Sequence, residues 1–455
     1  MFILLIKSLR LYTMTRDIIV GRLESDREKL GNKGIVLLGK QYVKMGRVTS
    51  LSNNIYMDVA GAHVMFICGK RGGGKSYTMG GIAEGMADLP DDVRMNLSFI
   101  FLDTMGVYWT MKYPNKKDEA LLEQWGFKGK GLDIVIYTPV MYYQQYKDQG
   151  IPTDRPFAIK PSELDATDWC SAFDISPNEP MGILIERVVH QLRKIKENYD
   201  MDDMVQAVQQ DIRSEQVTKD ALENRLRSTE GWGVFDVKGT PLSELAAPGQ
   251  ISILDVSCYA TMPGGWKIKY LIVGLVAQKL FLQRMVARKK EEYEMVHTTM
   301  DYFSTEDTSK KKQDMPLVWL VIDEAHEFLP RDPKDANSAT MPLITIMREG
   351  RQPGISLILA TQQPGKIHTD VMTQSDIVLS HRITARMDVE ALGLLTQSYM
   401  REGLTQAVDD LPRVKGAGVV FDDSNEKLYP MRVRPRFTWH GGESPSAVKI
   451  QKKEF

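Results

Sequence analysis

The chain has 455 residues, 43% of them hydrophobic and 26% charged, enough for one large core with additions. Its formal net charge is −1, so no overall field draws it to nucleic acid; any such contact must be a local patch or a pore. Three cysteines, Cys68, Cys170 and Cys258, fit neither a zinc-ligand spacing nor a disulfide framework and read as small apolar residues of a protein in a reducing cytoplasm.

Residues 1–14, MFILLIKSLRLYTM, are apolar with scattered bases. The apolar part is too short to span a bilayer, and no charged n-region with a cleavage site marks a secretory leader. The stretch reads as a translation-start artefact preceding Met14, or as an N-terminal extension, with an amphipathic anchor as the rival. No other segment approaches transmembrane length, so no membrane association is expected. Over 15–60, DIIVGRL, GIVLLGKQYV, GRVTSL and NIYMDVA are short β-rich runs with glycine or polar punctuation, which predict a small barrel-like β-module.

From residue 61 the pattern is α/β. Apolar runs suited to buried parallel strands are Val64–Cys68, Ser98–Leu102, Asp133–Tyr137, Ile251–Asp255, Val318–Ile322 and Ile355–Ala360, with Ile377–Ile383 a weaker seventh. Helical or polar stretches separate them, which predicts a mostly parallel sheet covered on both faces. Gly418–Phe421 and Lys427–Val433 flank DDSNE and predict a terminal antiparallel hairpin. The core is therefore expected over 61–161 and 235–435, interrupted by a helical insertion over 162–234. Ser162 reads as a helix cap there, and Ile183 to Ile195 has apolar residues at helical spacing. Residues 287–316 are charged and read as a mobile loop or helix end, the run Lys310–Lys312 as solvated lysines rather than a nucleic-acid contact. Residues 436–455 are expected to be a tail.

The first strand, Val64–Cys68, breaks into Gly69-Lys70-Arg71-Gly72-Gly73-Gly74-Lys75-Ser76, which fits G-x-x-x-x-G-K-[ST], and a helix-like stretch, Tyr77 to Ala87, follows. Glycines let backbone N–H groups turn inward onto phosphate oxygens, and the helix N-terminus adds partial positive charge. Arg71, Gly72, Gly73, Gly74, Lys75, Ser76 and Tyr77 are thus the candidate nucleotide contacts. Lys75 can reach the β/γ-phosphates, and the Ser76 hydroxyl can ligate Mg²⁺. The competing reading, a glycine-rich turn with a chance lysine, does not account for the strand and helix on either side.

A second signal is LVWLVIDEAHEFLP, residues 317–330. An apolar strand delivers Asp323 to the Mg²⁺ that Ser76 also serves, and Glu324 can orient or deprotonate an attacking water. The alternative is an ordinary helix cap with a first-turn acid. Asp323-Glu324-Ala325-His326 also spells the DEAH box of one helicase superfamily. Those proteins need a second motor domain, a Ser-Ala-Thr motif and a QxxGRxGR motif, all absent here, and about 250 residues from P-loop to box is too long. HExxH is excluded because Pro330 stands at the second histidine's place, and His326 reads as an ordinary first-turn residue. Downstream, Ile355–Ala360 ends at Thr361-Gln362, where a polar residue between the two motif strands can sense the γ-phosphate or the water: Gln362 first, Gln363 second. Arg351, with Arg348 second, is the candidate cation that a ring ATPase supplies across a subunit boundary; otherwise it is a surface arginine pairing with Glu349.

In this order, GKRGGGKS, LVIDEAHEFLP, MREGRQPGISLILATQQP and the closing RVRPRFTWHGG resemble the HerA branch of the HerA/FtsK ATPases over roughly residues 30–441. The resemblance implies a RecA-like domain with a helical insertion and an N-terminal barrel, a homohexameric ring, and ATP- and Mg²⁺-driven translocation of double-stranded DNA for a nuclease or other effector. It assigns Lys75, Ser76, Asp323 and Glu324 the roles argued above, Gln362 that of sensor and Arg351 that of the arginine acting in trans. Departures are visible. The family's DPHGEY-type motif here reads Asp103-Thr104-Met105-Gly106-Val107-Tyr108, and Gln363 replaces a frequent arginine. An ATP-regulated scaffold that activates a bound enzyme, and a packaging or conjugation motor, are the competing functions.

Overall fold

The computed structural model describes residues 17–45, 48–300, 315–383, 386–393, 406–408 and 410–442. Thirteen strands among them form one sheet. In chain order they are β1 (Ile18–Val20), β2 (Ile35–Met45), β3 (Val48–Asp58), β4 (Val64–Cys68), β5 (Leu97–Asp103), β6 (Ile134–Pro139), β7 (Arg155–Phe157), β8 (Ile251–Asp255), β9 (Leu317–Ile322), β10 (Ile355–Thr361), β11 (Ile377–His381), β12 (Ala417–Asp422) and β13 (Lys427–Val433). Their spatial order is β1-β3-β2-β13-β12-β11-β4-β10-β9-β5-β8-β6-β7.

From β11 to β7 every neighbouring pair is parallel. These are the strands read from the apolar runs, plus β7, a three-residue edge strand around Pro156 too short to give a pattern. Alternate residues of the central strands feed two cores. Phe66, Ile100, Leu254, Leu320 and Leu357 face one side, and Ile67, Phe99, Ile253, Val321 and Ile358 the other. Both faces are dry, so the strands read as continuous apolar runs rather than alternating ones.

Helix α1 (Lys75–Ala87) follows the glycine loop and covers the second face through Met79, Ile82, Ala83 and Met86. Between β7 and β8 the chain forms α2 (Ala166–Phe173), α3 (Pro180–Ile195), α4 (Met201–Gln210) and α5 (Gln216–Ser228). Leu184, Ile185, Val188 and Leu192 of α3 pack with Trp169, Met204, Val208, Leu222 and Leu226 in the core of the first face. The first helix of this set is capped by Asp165, whose carboxylate accepts the Asp168 amide at 2.9 Å. Ser162, the cap expected from the sequence, instead sits in a short 3₁₀ turn, Pro161–Glu163.

Helix α6 (Gly265–Met300) bears on two further expectations. Residues 287–300 are its C-terminal part, the helix end of the two readings of that stretch, and Arg284 just before them is buried and tied to the Pro353 and Met315 carbonyls and to Glu291. Residues 301–314, with the lysine run, lie outside the described residues, as do 1–16. The stretch Gly265–His297 is also long and apolar enough to cross a membrane, contrary to the sequence reading. Half of its apolar window is buried in the fold, where Ile268, Leu271, Ile272, Val276 and Leu280 join the first core.

The N-terminal strands do not form a separate barrel. Val48 to Leu51 of GRVTSL and Asn54 to Asp58 of NIYMDVA belong to one strand, β3, which pairs antiparallel with β2. In turn β2 pairs antiparallel with β13, so the expected module is one edge of the main sheet, with β1 outermost and parallel to β3. Gly39 permits this: a Cβ there would stand 2.1 Å from the Arg432 carbonyl. The free edge of the terminal β12–β13 hairpin is thereby paired. At the other terminus, Arg436, Phe437 and Thr438 are buried rather than forming a tail, and residues 443–455 lie outside the described ones.

Candidate nucleotide-binding site

The parallel registers bring the strand C-termini to one edge. Thr361 lies beside Cys68, Leu359 beside Ile322, Leu102 beside Ile322, and Asp103 beside Asp255. The glycine loop after β4, Asp323-Glu324 after β9 and Gln362 after β10 therefore converge, with β10 between the other two strands.

The loop is held open by backbone conformations that side chains resist. Gly72 and Gly74 have φ of 72° and 112°. A Cβ on Gly69 would meet the His381 Cβ at 2.7 Å, so the loop rests directly on that residue. His381 is buried, 2.9 Å from the Thr78 hydroxyl through Nε2 and 3.3 Å from the Ala417 carbonyl through Nδ1. Burial, aided by the Lys75 charge, lowers its imidazole to about 4, so it stays neutral and adds no competing cation under the loop.

Lys75 begins α1 and donates to the Gly69 and Lys70 carbonyls at 3.2 and 3.3 Å, curling over its own loop. The Ser76 hydroxyl donates to Asp323 Oδ2 at 2.7 Å, joining the two motifs across the sheet edge. Asp323 Oδ1 accepts the Glu324 amide at 2.9 Å. Glu324 itself adopts φ 52° and ψ 44°, a left-handed conformation that non-glycine residues rarely occupy and that turns its carboxylate back to the site. Gln362 Nε2 donates to Glu324 Oε1 at 3.1 Å, while Oε2 is buried without a hydrogen-bond partner. Burial, followed by the Asp323 charge, raises the Glu324 carboxyl above the usual range. His326 is more than a first-turn residue: it lies 3.0 Å from the Thr361 hydroxyl and 3.2 Å from the Gln363 amide, tying the acidic turn to β10.

Arg71 and Gly72 are exposed at the loop, and Gly73 and Gly74 are partly covered. Tyr77 points along α1 toward the C-terminal segment: its hydroxyl oxygen accepts the Arg436 amide at 2.7 Å, and its ring meets His440 edge-on at 5.3 Å. Arg351 is not brought to this edge. It lies exposed on the turn between α7 (Thr340–Glu349) and β10, at the opposite end of the sheet. A seven-residue strand separates it from Gln362, roughly 20 Å at strand rise. Arg348, the second choice, pairs with Asp370 at 2.6 Å.

Other residues carried little sequence signal. Tyr108 was visible only as a surviving motif position, yet its hydroxyl donates to Asp323 Oδ2 at 3.3 Å. Glu84, completely buried on α1, binds Arg434 at 2.9 Å and Arg436 at 3.2 Å, and accepts the Phe437 and Thr438 amides. The C-terminal segment is thereby fastened along the helix that begins at the glycine loop.

The chain is similar to known proteins. The family model described as the helicase HerA central domain matches residues 43–261, and that of zonular occludens toxin (Zot) matches residues 264–399. The probable DNA double-strand break repair helicase HerA of Methanocaldococcus jannaschii is 28% identical over 171 residues, 36% of this chain and 30% of that protein. The DNA double-strand break repair helicase HerA of Pyrococcus furiosus is 27% identical over 170 residues, 36% of this chain and 28% of that protein. The matched segment thus spans less than a third of either relative. Among solved structures, VirB4 of Thermoanaerobacter pseudethanolicus has the same fold, with a TM-score of 0.50 at 12% identity over 89% of this chain and 97% of that one. With the glycine loop, the acidic strand end and the central sheet in one arrangement, the chain has the RecA-like fold of a P-loop ATPase and is similar to the helicase HerA central domain over residues 43–261, just under half of its length.

Proposed function

We propose that this protein is an ATP- and Mg²⁺-dependent motor that assembles as a homohexamer and moves double-stranded DNA, in the cytoplasm, for a nuclease or other effector. The contact between Ser76 and Asp323, with Glu324 and Gln362 beside it, carries this reading, because hydrolysis of a nucleoside triphosphate needs these groups together. The names of the HerA relatives, DNA double-strand break repair helicases, support the choice of DNA.

Arg71, Gly72, Gly73, Gly74 and the first turn of α1, Lys75 to Tyr77, hold the phosphates through backbone N–H groups and the helix N-terminus. Lys75 exchanges its two carbonyl partners for phosphate oxygens. Ser76 and Asp323 supply hard oxygen donors close together, the ligand chemistry that suits Mg²⁺. When bound, the metal neutralises charge on the phosphates and orients them. Glu324 aligns the attacking water and takes its proton, with Gln362 holding one carboxylate oxygen in place. Arg351, too far from its own site, serves that of a neighbouring copy.

Steady-state ATP hydrolysis, with and without linear duplex DNA and with Glu324→Gln as the blank, tests the proposal. Turnover stimulated by DNA is the expected result. Turnover indifferent to DNA would overturn the translocase reading and leave a scaffold for a bound enzyme.

A further inference from the structure

Resting on that reading of the site, we infer that Tyr108 is a positioning residue for the metal-binding pair, fixing the rotamer of Asp323 through its phenol. Asp323 Oδ1 is held by the Glu324 amide. Oδ2 receives two hydroxyl donors, Ser76 at 2.7 Å and Tyr108 at 3.3 Å. A serine hydroxyl that lends a lone pair to a metal keeps its proton, but its orientation is then set by the metal as well as by Asp323. The Tyr108 phenol is oriented by its own surroundings, so it holds the Asp323 carboxylate in the same way whether or not Ser76 is engaged.

The phenol can do this because its own place is over-determined. Asp103, at the end of β5, accepts the amides of Met105, Gly106, Val107 and Tyr108 at 2.8–3.2 Å, closing a turn that ends on Tyr108. Gly106 has φ 67°, and a Cβ there would stand 2.7 Å from the Ser257 hydroxyl. The Tyr108 ring is 1% exposed and lies 4.2 Å from that of Phe101, centroid to centroid. Beyond it, the Thr110 hydroxyl bonds both the Val107 and Trp439 carbonyls. A side chain confined this closely loses little further entropy in orienting Asp323. The same turn gives a reason for the departures from the family motif: Thr104, Met105 and Val107 contribute backbone to the turn, so its register survives the loss of the histidine and glutamate.

The test is Mg²⁺-dependent binding of a fluorescent ATP analogue to the full chain, comparing wild type with Tyr108→Phe, which keeps the buried ring, and Asp103→Asn, which keeps the turn's shape. The half-saturating Mg²⁺ concentration is expected to rise about fivefold in Tyr108→Phe, the scale of one hydrogen bond to a carboxylate, and less in Asp103→Asn. Binding without metal and the melting temperature of Tyr108→Phe should match wild type. An unchanged Mg²⁺ dependence, or an equal loss with and without metal, would overturn the inference. If wild type itself shows no Mg²⁺-dependent binding, the nucleotide-site reading fails first, and wild type alone reveals that.

Discussion

The Gln362 amide and the Glu324 carboxylate meet at 3.1 Å, joining the residue after β10 to the second residue after β9. The two residues follow neighbouring strands of one sheet and neither belongs to the glycine loop, so removing the amide frees the carboxylate without disturbing the loop. Gln362→Ala should lower kcat for ATP about 10–100-fold and leave nucleotide affinity within about twofold. Glu324→Gln should abolish turnover and retain binding. Single-turnover hydrolysis alongside equilibrium binding separates the two effects.

Arg351 stands at the far end of the sheet from its own glycine loop. If it acts in trans, Arg351→Ala and Glu324→Gln disable different halves of a shared site. Each variant should be inactive alone. Mixing them under conditions that allow subunit exchange should restore measurable turnover, because some boundaries then pair an intact Glu324 with an intact Arg351. No recovery despite demonstrated mixing would remove Arg351 from the site.

Glu84 is buried between two arginines that are themselves buried. Truncating one partner of such a group leaves charge unpaired in the interior. Glu84→Ala should therefore cost about 3–5 kcal/mol in denaturant unfolding. Gly80→Ala should also destabilise, since its Cβ would lie 2.5 Å from Arg436 Cζ. Lowered urea midpoints for both, with ordinary values for an exposed control such as Lys116→Ala, would show the C-terminal segment to be part of the core.

Two histidines give stability a pH dependence of opposite sign. His63 lies 2.6 Å from Asp376 and 3.6 Å from Asp58; burial alone would lower its pKa, but these hydrogen bonds and charges carry it to about 9. Its contribution is complete below the unfolded value of about 6.5 and is lost as pH rises through 9, up to about 3 kcal/mol. His381, held down to about 4, contributes fully above about 6.5 and is lost as pH falls through 4. Chemical denaturation from pH 4.5 to 9.5 should show the alkaline limb flattened in His63→Gln and the acid limb flattened in His381→Gln.

Strands β4, β5, β6, β8, β9 and β10 were legible because each is buried on both faces and so is apolar without interruption. The glycine loop was legible because its pattern lies within eight consecutive positions, between a strand and a helix. The barrel-like module was misread for a physical reason: β1 to β3 carry strand character, but which edge they pair with depends on β13, almost four hundred residues away. Ser162 and Asp165 are both competent caps, and it is Asp165 that forms the reciprocal capping box with Asp168.

By itself the sequence determined what contiguous residues carry: the glycine loop from Gly69 to Ser76, the acidic pair Asp323-Glu324, and the run of parallel strands beneath them. Tertiary structure alone decided what depends on distant segments meeting. It set Tyr108 against Asp323, placed His381 under the loop, enclosed Glu84 between Arg434 and Arg436, and put Arg351 beyond reach of its own site. Contiguous motifs are local constraints on backbone and side chain. Contacts between residues hundreds of positions apart arise only when strand order brings their elements together.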